Sequence, residues 1–151
     1  MKKYFVISLT ALFLMSCGNK IVDVVAEKFP DGAKKKVKRY KIDGKDSILL
    51  KETVYYKTQQ KYMEGNFLNG KRDSVWTAWL SNGQVWSKGS YKNGLEDGHK
   101  EVYHENGFKY YEGQFKEGKR IGKWLFYDAQ GKLVKQIDYD SKPPSQTNLL
   151  N

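Results

Sequence analysis

From Tyr55 to Tyr139 the aromatic, glycine and polar positions recur every 24 residues. Trp79 corresponds to Tyr55, Tyr103 and Tyr127; Gly89 to Gly65 and Gly113; Tyr91 to Phe67, Phe115 and Tyr139; Gly98 to Ser74 and Gly122. A period of this size signals a repeat architecture, in which one unit buries its apolar side only by stacking on the next. Within a unit the strongest local signal is Asn-Gly, at Asn82-Gly83 and Asn106-Gly107. These two residues tolerate the positive φ angles of a two-residue hairpin turn better than any others. With Asn-Gly as the central pair, Trp79 faces Trp86 and Trp76 faces Gly89, because directly opposed residues share a face. The same register sets Tyr55 against Tyr62, Tyr103 against Tyr110 and Tyr127 against Val134. On the other face it sets Val102 against Tyr111 and Trp124 against Ile137, beside the row Phe67, Tyr91, Phe115 and Tyr139. The expected fold is all-β: a single-layer, elongated antiparallel meander with one hairpin per repeat.

The two faces call for different roles. The second is interleaved with Gly65, Gly89 and Gly113, which let neighbouring side chains lie across the backbone, and the clearest case is Trp76 over Gly89. Together with Gly98 and Gly122 these are the structural repeat glycines. The first face carries Tyr55, Tyr62, Trp79, Trp86, Tyr103, Tyr110 and Tyr127 close to the hairpin ends, among Lys88, Glu101 and Glu112. That aromatic row is the candidate partner-binding surface. Its plainer reading is cross-strand stabilisation, at roughly 0.2 to 1 kcal/mol per pair.

The run Tyr103-His104-Glu105-Asn106-Gly107, followed by Tyr111-Glu112-Gly113-Gln114-Phe115 and by Gly118-Lys119-Arg120-Ile121-Gly122-Lys123-Trp124, resembles the MORN-variant repeat, found in bacterial proteins that include YwqK-type antitoxins. The resemblance covers residues 52–140 well and Phe29 to Lys41 weakly. It implies a hairpin meander and, as one version of function, an antitoxin or immunity protein that binds and blocks a toxin. Two copies depart from the pattern. Phe29-Pro30-Asp31-Gly32 reaches its glycine one residue early, and Thr58-Gln59 stands where other copies have Asn-Gly.

The amino terminus changes where such a protein would work. Lys2-Lys3 precede an apolar run from Phe5 to Met15, too short to cross about 30 Å of hydrocarbon as a helix, which is the pattern of a secretory signal. Leu14-Met15-Ser16-Cys17 resembles a bacterial lipobox, whose cysteine becomes the acylated first residue after cleavage. Cys17 is the only cysteine of the 151 residues, so no internal disulfide can form. The alternative is a general secretory peptide with an incidental thiol. The expected organisation is a signal peptide over 1–16, a tether over 17–27, the repeat sheet over 28–140 and a flexible tail over 141–151. The expected location is an exported protein, lipid-anchored to the cell membrane through Cys17, and to the outer one if the host has two.

The chain has 27 Lys plus Arg against 17 Asp plus Glu, a net charge of +10, and 15% aromatic residues. High charge with so many aromatics fits a thin ordered sheet rather than disorder. The densest basic run, Ala33 to Lys41, fits attraction to anionic lipid or to nucleic acid, or protection of an edge strand, since it is expected to form the first strand of the sheet. The export signal excludes nuclear localisation, another reading of such runs, and nucleic acid is not among the expected partners.

Catalytic signatures are weak. His99 and His104, the only histidines, fall on opposite faces of one strand and cannot share a metal. Ser90, His99 and Asp97 lack the strand-turn-helix setting of an activated nucleophile. Glu101 opposite Glu112 is the one carboxylate pair that the register brings together, and a solvated face is its plainer reading. No enzyme activity, cofactor or metal is expected. The leading expectation is a membrane-anchored scaffold for an unidentified protein, a toxin in the narrower version. The alternative is an electrostatic binder of anionic lipid or polysaccharide at the envelope.

Overall fold

A computed structural model describes residues 20–141. The signal segment 1–16, Cys17 and the tail beyond Ser141 lie outside the described residues. Ten strands follow one another: β1 (Lys20–Lys28), β2 (Lys34–Asp43), β3 (Asp46–Tyr55), β4 (Lys61–Leu68), β5 (Lys71–Trp79), β6 (Val85–Lys92), β7 (Leu95–Tyr103), β8 (Lys109–Lys116), β9 (Lys119–Tyr127) and β10 (Leu133–Asp138). Each pairs antiparallel with its sequence neighbours in one open sheet, so the protein is the expected single-layer all-β meander.

The sheet starts earlier than the repeat pattern. Residues 20–27, expected to be tether, belong to β1, where Val22 lies opposite Tyr40 and Asp23 opposite Arg39. Lys20 to Lys28 is rich in β-branched residues and enters a turn at Pro30-Asp31-Gly32, and that turn folds it back onto β2. The basic run is consequently an inner strand, and β1 forms the edge. Its cations are partly matched from that side, Arg39 by both carboxylate oxygens of Asp23 (2.7 and 2.8 Å) and Lys36 by Glu27 (2.6 Å).

The hairpins correct the expected register at their ends. Asn82-Gly83 is not a two-residue turn. The Gly83 N–H donates to Leu80 O (2.9 Å) and the Leu80 N–H to Gln84 O (2.8 Å), closing a type I turn whose last residue, Gly83, is left-handed at φ +87°. Gly32, Gln59, Gly107 and Gly131 occupy the same place in the other four such hairpins, Gln59 at φ +67° with no glycine to relieve it. One strand residue beyond each turn of the last four hairpins is then extra. Trp79 pairs with Val85 while Ala78 pairs with Ser87, leaving Trp86 as the unpaired bulge residue. Tyr62, Tyr110 and Val134 are its equivalents. The opposed pairs Trp79–Trp86, Tyr55–Tyr62, Tyr103–Tyr110 and Tyr127–Val134 therefore do not form. The two-residue turns with consecutive positive φ lie on the opposite rim, at Asn69-Gly70, Asn93-Gly94 and Glu117-Gly118.

Away from the hairpins the expected register holds. Trp76 lies opposite Gly89, Glu101 opposite Glu112, Val102 opposite Tyr111 and Trp124 opposite Ile137. The core is one face of the sheet, with Trp76, Ala78, Val102 and Trp124 buried. Which side chain covers which glycine differs from expectation. Trp76 leans back across Gly65 on β4, and Trp124 lies likewise across Gly113 on β8, each indole occupying the space a Cβ would need. Gly89 is covered by the aliphatic stem of Lys100 instead. Lys100 stands 24 residues from each tryptophan, so the middle repeat carries a lysine in the indole's place.

This assigns unequal costs to equivalent glycines. Gly113→Ala drives a methyl into a fully buried ring and should lower stability by about 1 to 3 kcal/mol. Gly89→Ala meets only the flexible stem of Lys100 and should stay within about 1 kcal/mol of the parent. Urea denaturation of the two variants checks the difference, and equal losses would show that the indole does not rest on Gly113.

Candidate functional surface

The expected aromatic row divides into two sets, because every hairpin end carries a bulge. Tyr55, Trp79, Tyr103 and Tyr127 stay on the face opposite the core, each half-buried. There they stand beside charged side chains. Lys34 lies 4.4 Å from the Tyr55 ring centre and Lys61 lies 5.6 Å from that of Trp79. Tyr103 donates its hydroxyl to Glu101 (2.9 Å) and Tyr127 to Glu112 (2.7 Å). Tyr62, Trp86 and Tyr110 are the bulge residues, and a bulge re-aims the side chain it releases from the ladder. Tyr62 and Trp86 line a hollow of about 120 Å³ on the core face with Met63, Trp76 and Ala78. Tyr110 packs on His104 and Tyr111, with ring centres 4.7 and 5.4 Å away. These three are among the exposed large side chains, at 37%, 43% and 47%.

The carboxylate pair forms as its register requires. Lys109 sits between Glu101 (3.0 Å) and Glu112 (2.8 Å), and His99 Nε2 approaches the same two groups at 3.4 and 3.6 Å. Among the described residues His99, Glu101 and Glu112 are the one group with ligand atoms close enough to hold a metal ion, all within 4.8 Å of one another. The Lys109 ammonium already supplies a cation there. Partial burial acts to raise the Glu101 carboxyl, but hydrogen bonds from Lys109 and Tyr103 outweigh it and leave it below the usual range. The hydrogen bond from Lys109, helped by Tyr127, holds Glu112 below its usual range as well. Lys109 is raised in return, chiefly by its bond to Glu112. Both glutamates are thus ionised acceptors at neutral pH, already hydrogen-bonded, rather than a proton donor and acceptor facing an open cleft.

Other singled-out residues have separate surroundings. Asp97 pairs with Lys116 (3.2 Å) and accepts the Glu117 N–H, whereas His99 contacts Gln114 (3.2 Å). His104 approaches Tyr127 O across the hairpin ends (3.0 Å). Gly98 and Gly122 hold positive φ in the bulges of β7 and β9, at +112° and +60°, where Ser74 stands at +59° in the preceding repeat. Sequence reasoning missed the pairing of cations with indoles on the core face. The Arg72 guanidinium lies 4.0 Å from the Trp76 ring centre and that of Arg120 lies 4.5 Å from Trp124. In the middle repeat the charges are exchanged, and Glu96 accepts from Lys100 at 2.9 Å. The signal was present in the spacing: Arg72, Glu96 and Arg120 are 24 residues apart, as are Trp76, Lys100 and Trp124.

The glutamate shifts set a pH dependence. A carboxyl held below its unfolded value stabilises the fold fully above about pH 4.5 and loses that contribution as the pH falls through its native value. Lys109→Met should cost about 1 to 2 kcal/mol at pH 7, since two part-buried carboxylates lose their shared donor. The deficit should shrink as the pH drops below 4.5 and both carboxyls protonate. Urea titrations of parent and variant at the two pH values measure it, and a pH-independent deficit would point to lost packing alone.

Compared with known proteins, the chain matches no family model and no curated protein.

Proposed function

We propose that this protein is an exported, membrane-anchored member of the MORN-variant repeat class that acts as a protein-binding scaffold. Its partner would meet the face bearing Tyr55, Trp79, Tyr103 and Tyr127. The observation that supports this most directly is a row of half-buried aromatic side chains, one per repeat, on a single layer over which no other described residues pack. Aromatic residues are enriched at the centre of recognition surfaces, with a polar rim around them. In this face Lys61, Glu64, Glu101 and Lys109 supply the charged flank. The antitoxin-like version follows from the resemblance of the Tyr103–Trp124 run, and an anchored chain would meet a toxin outside the cytoplasm. The anchor itself is assigned to Cys17 on the lipobox resemblance. A purely electrostatic attachment to anionic lipid or polysaccharide ranks second, because Asp23 and Glu27 offset part of the basic run on β2.

Two measurements test the parts separately. Cys17→Ser should abolish fatty-acid labelling and move the protein out of the membrane fraction; retained labelling would overturn the anchor. Trp79→Ala combined with Tyr103→Ala should remove a partner captured by crosslinking from envelope extract, with the variant still folded by circular dichroism. Capture of an unchanged set of partners by the folded variant would overturn the assignment of this face.

A further inference from the structure

The bulge residues form a second surface, independent of the face just assigned. Tyr62, Trp86 and Tyr110 occupy one position in three successive repeats, and each is released from the ladder by the bulge that follows its hairpin turn. Successive repeats advance by two strands, so the backbone positions that carry these rings are spaced about 10 Å apart across the sheet. Large exposed aromatics at a fixed step on a single sheet are an unusual use of apolar surface. The next bulge position in the series holds Val134, 60% exposed, so the bulge itself does not require an aromatic ring.

Cations accompany the row. Arg72 and Lys100 line the same hollow as Tyr62 and Trp86. Arg72 is held over the Trp76 ring, with the Tyr91 ring centre 5.7 Å away, and Arg120 repeats that arrangement over Trp124 two repeats on. The described residues place no carboxylate in a salt bridge with either arginine, and the chain as a whole carries a charge of +10. The surface thus combines flat rings at a regular step with fixed positive groups beside them.

We propose that this row binds a linear, β-linked acidic glycan, one disaccharide to each repeat. An extended β-linked chain repeats after two sugars, over a length close to the two-strand step of about 10 Å. Each sugar ring has an apolar face of C–H groups carrying slight positive charge, which stacks on the negative face of an aromatic ring. Carboxylates along the polymer would meet Arg72 and Arg120, whereas Lys100 between them is already paired with Glu96 (2.9 Å). The complementarity is electrostatic as well as geometric. Neither the lipid anchor nor the protein-binding face is needed for this inference.

The test uses the full-length chain in detergent and three probes: a β-1,4-linked oligouronate, a neutral β-1,4-linked glucose oligomer of equal length, and polyglutamate. Tryptophan fluorescence and calorimetry should show the oligouronate binding, with affinity growing with length up to about six sugars, the span of three repeats. Trp86→Ala should weaken it by about tenfold or more, Trp86→Phe much less, and Trp79→Ala, on the other face, not at all. Circular dichroism establishes that each variant is folded. No binding of the oligouronate, or binding unaffected by Trp86→Ala, overturns the proposal. Equal affinity for the neutral oligomer overturns its acidic part, and equal affinity for polyglutamate replaces the glycan with any extended polyanion, an acidic protein segment included.

Discussion

An indole lying across a glycine is the interaction on which this sheet depends. A single layer has no second sheet or helix to cover its apolar face, so the face must be covered by its own side chains, folded down over neighbouring strands. Only a residue without Cβ lets a ring come close enough to exclude water. Gly65 and Gly113 provide that place for Trp76 and Trp124, and each indole N–H then reaches a strand carbonyl, Asn66 O at 3.1 Å and Gln114 O at 3.3 Å. A ring burying about 200 Å² at about 25 cal/mol/Å² contributes roughly 5 kcal/mol, a large share of a small domain's net stability. Phe67 and Phe115 add edge-on contacts at 5.4 and 5.1 Å, and Arg72 and Arg120 close the outer side of the rings.

The middle repeat is built on different chemistry. Lys100 replaces the indole over Gly89 and Glu96 replaces the arginine, so an ion pair stands where the flanking repeats have a cation on a ring. The sheet therefore has two aromatic clusters separated by a polar one, a longer period laid over the 24-residue repeat. The exposed surfaces follow from the same economy. Because the core face takes most of the apolar side chains, the opposite face is left to Tyr55, Trp79, Tyr103 and Tyr127 with their charged neighbours. The bulges that finish the hairpins send Tyr62, Trp86 and Tyr110 outward at each repeat.

Strand number within the repeats, their antiparallel order and the central register were legible in the sequence, because a bulky residue opposite a glycine and a period of 24 leave few alternatives. Glu101 opposite Glu112 and Val102 opposite Tyr111 followed from it. The hairpin ends were not legible on the same reasoning. Asn-Gly serves two turn geometries, and here the two-residue form lies at Asn69-Gly70 and Asn93-Gly94 while Asn82-Gly83 ends a type I turn with one residue more. That extra residue is what divides the aromatic row. β1 escaped notice because it lacks the repeat's aromatic and glycine marks, although Ile21 to Val25 and the Pro30-Asp31-Gly32 turn were strand signals of their own. Lys100 over Gly89 was not legible because Gly89 lies opposite both Trp76 on β5 and Lys100 on β7, and the register alone does not choose between them.

Native-state amide hydrogen exchange, read residue by residue on the folded chain, tests the central claim most directly. If the indoles on Gly65 and Gly113 hold the sheet, the slowest amides should flank those contacts in β4–β5 and β8–β9. The strands around Gly89 and Lys100 should then open at lower free energy. Uniform protection along the sheet, or a maximum at β6–β7, would contradict it.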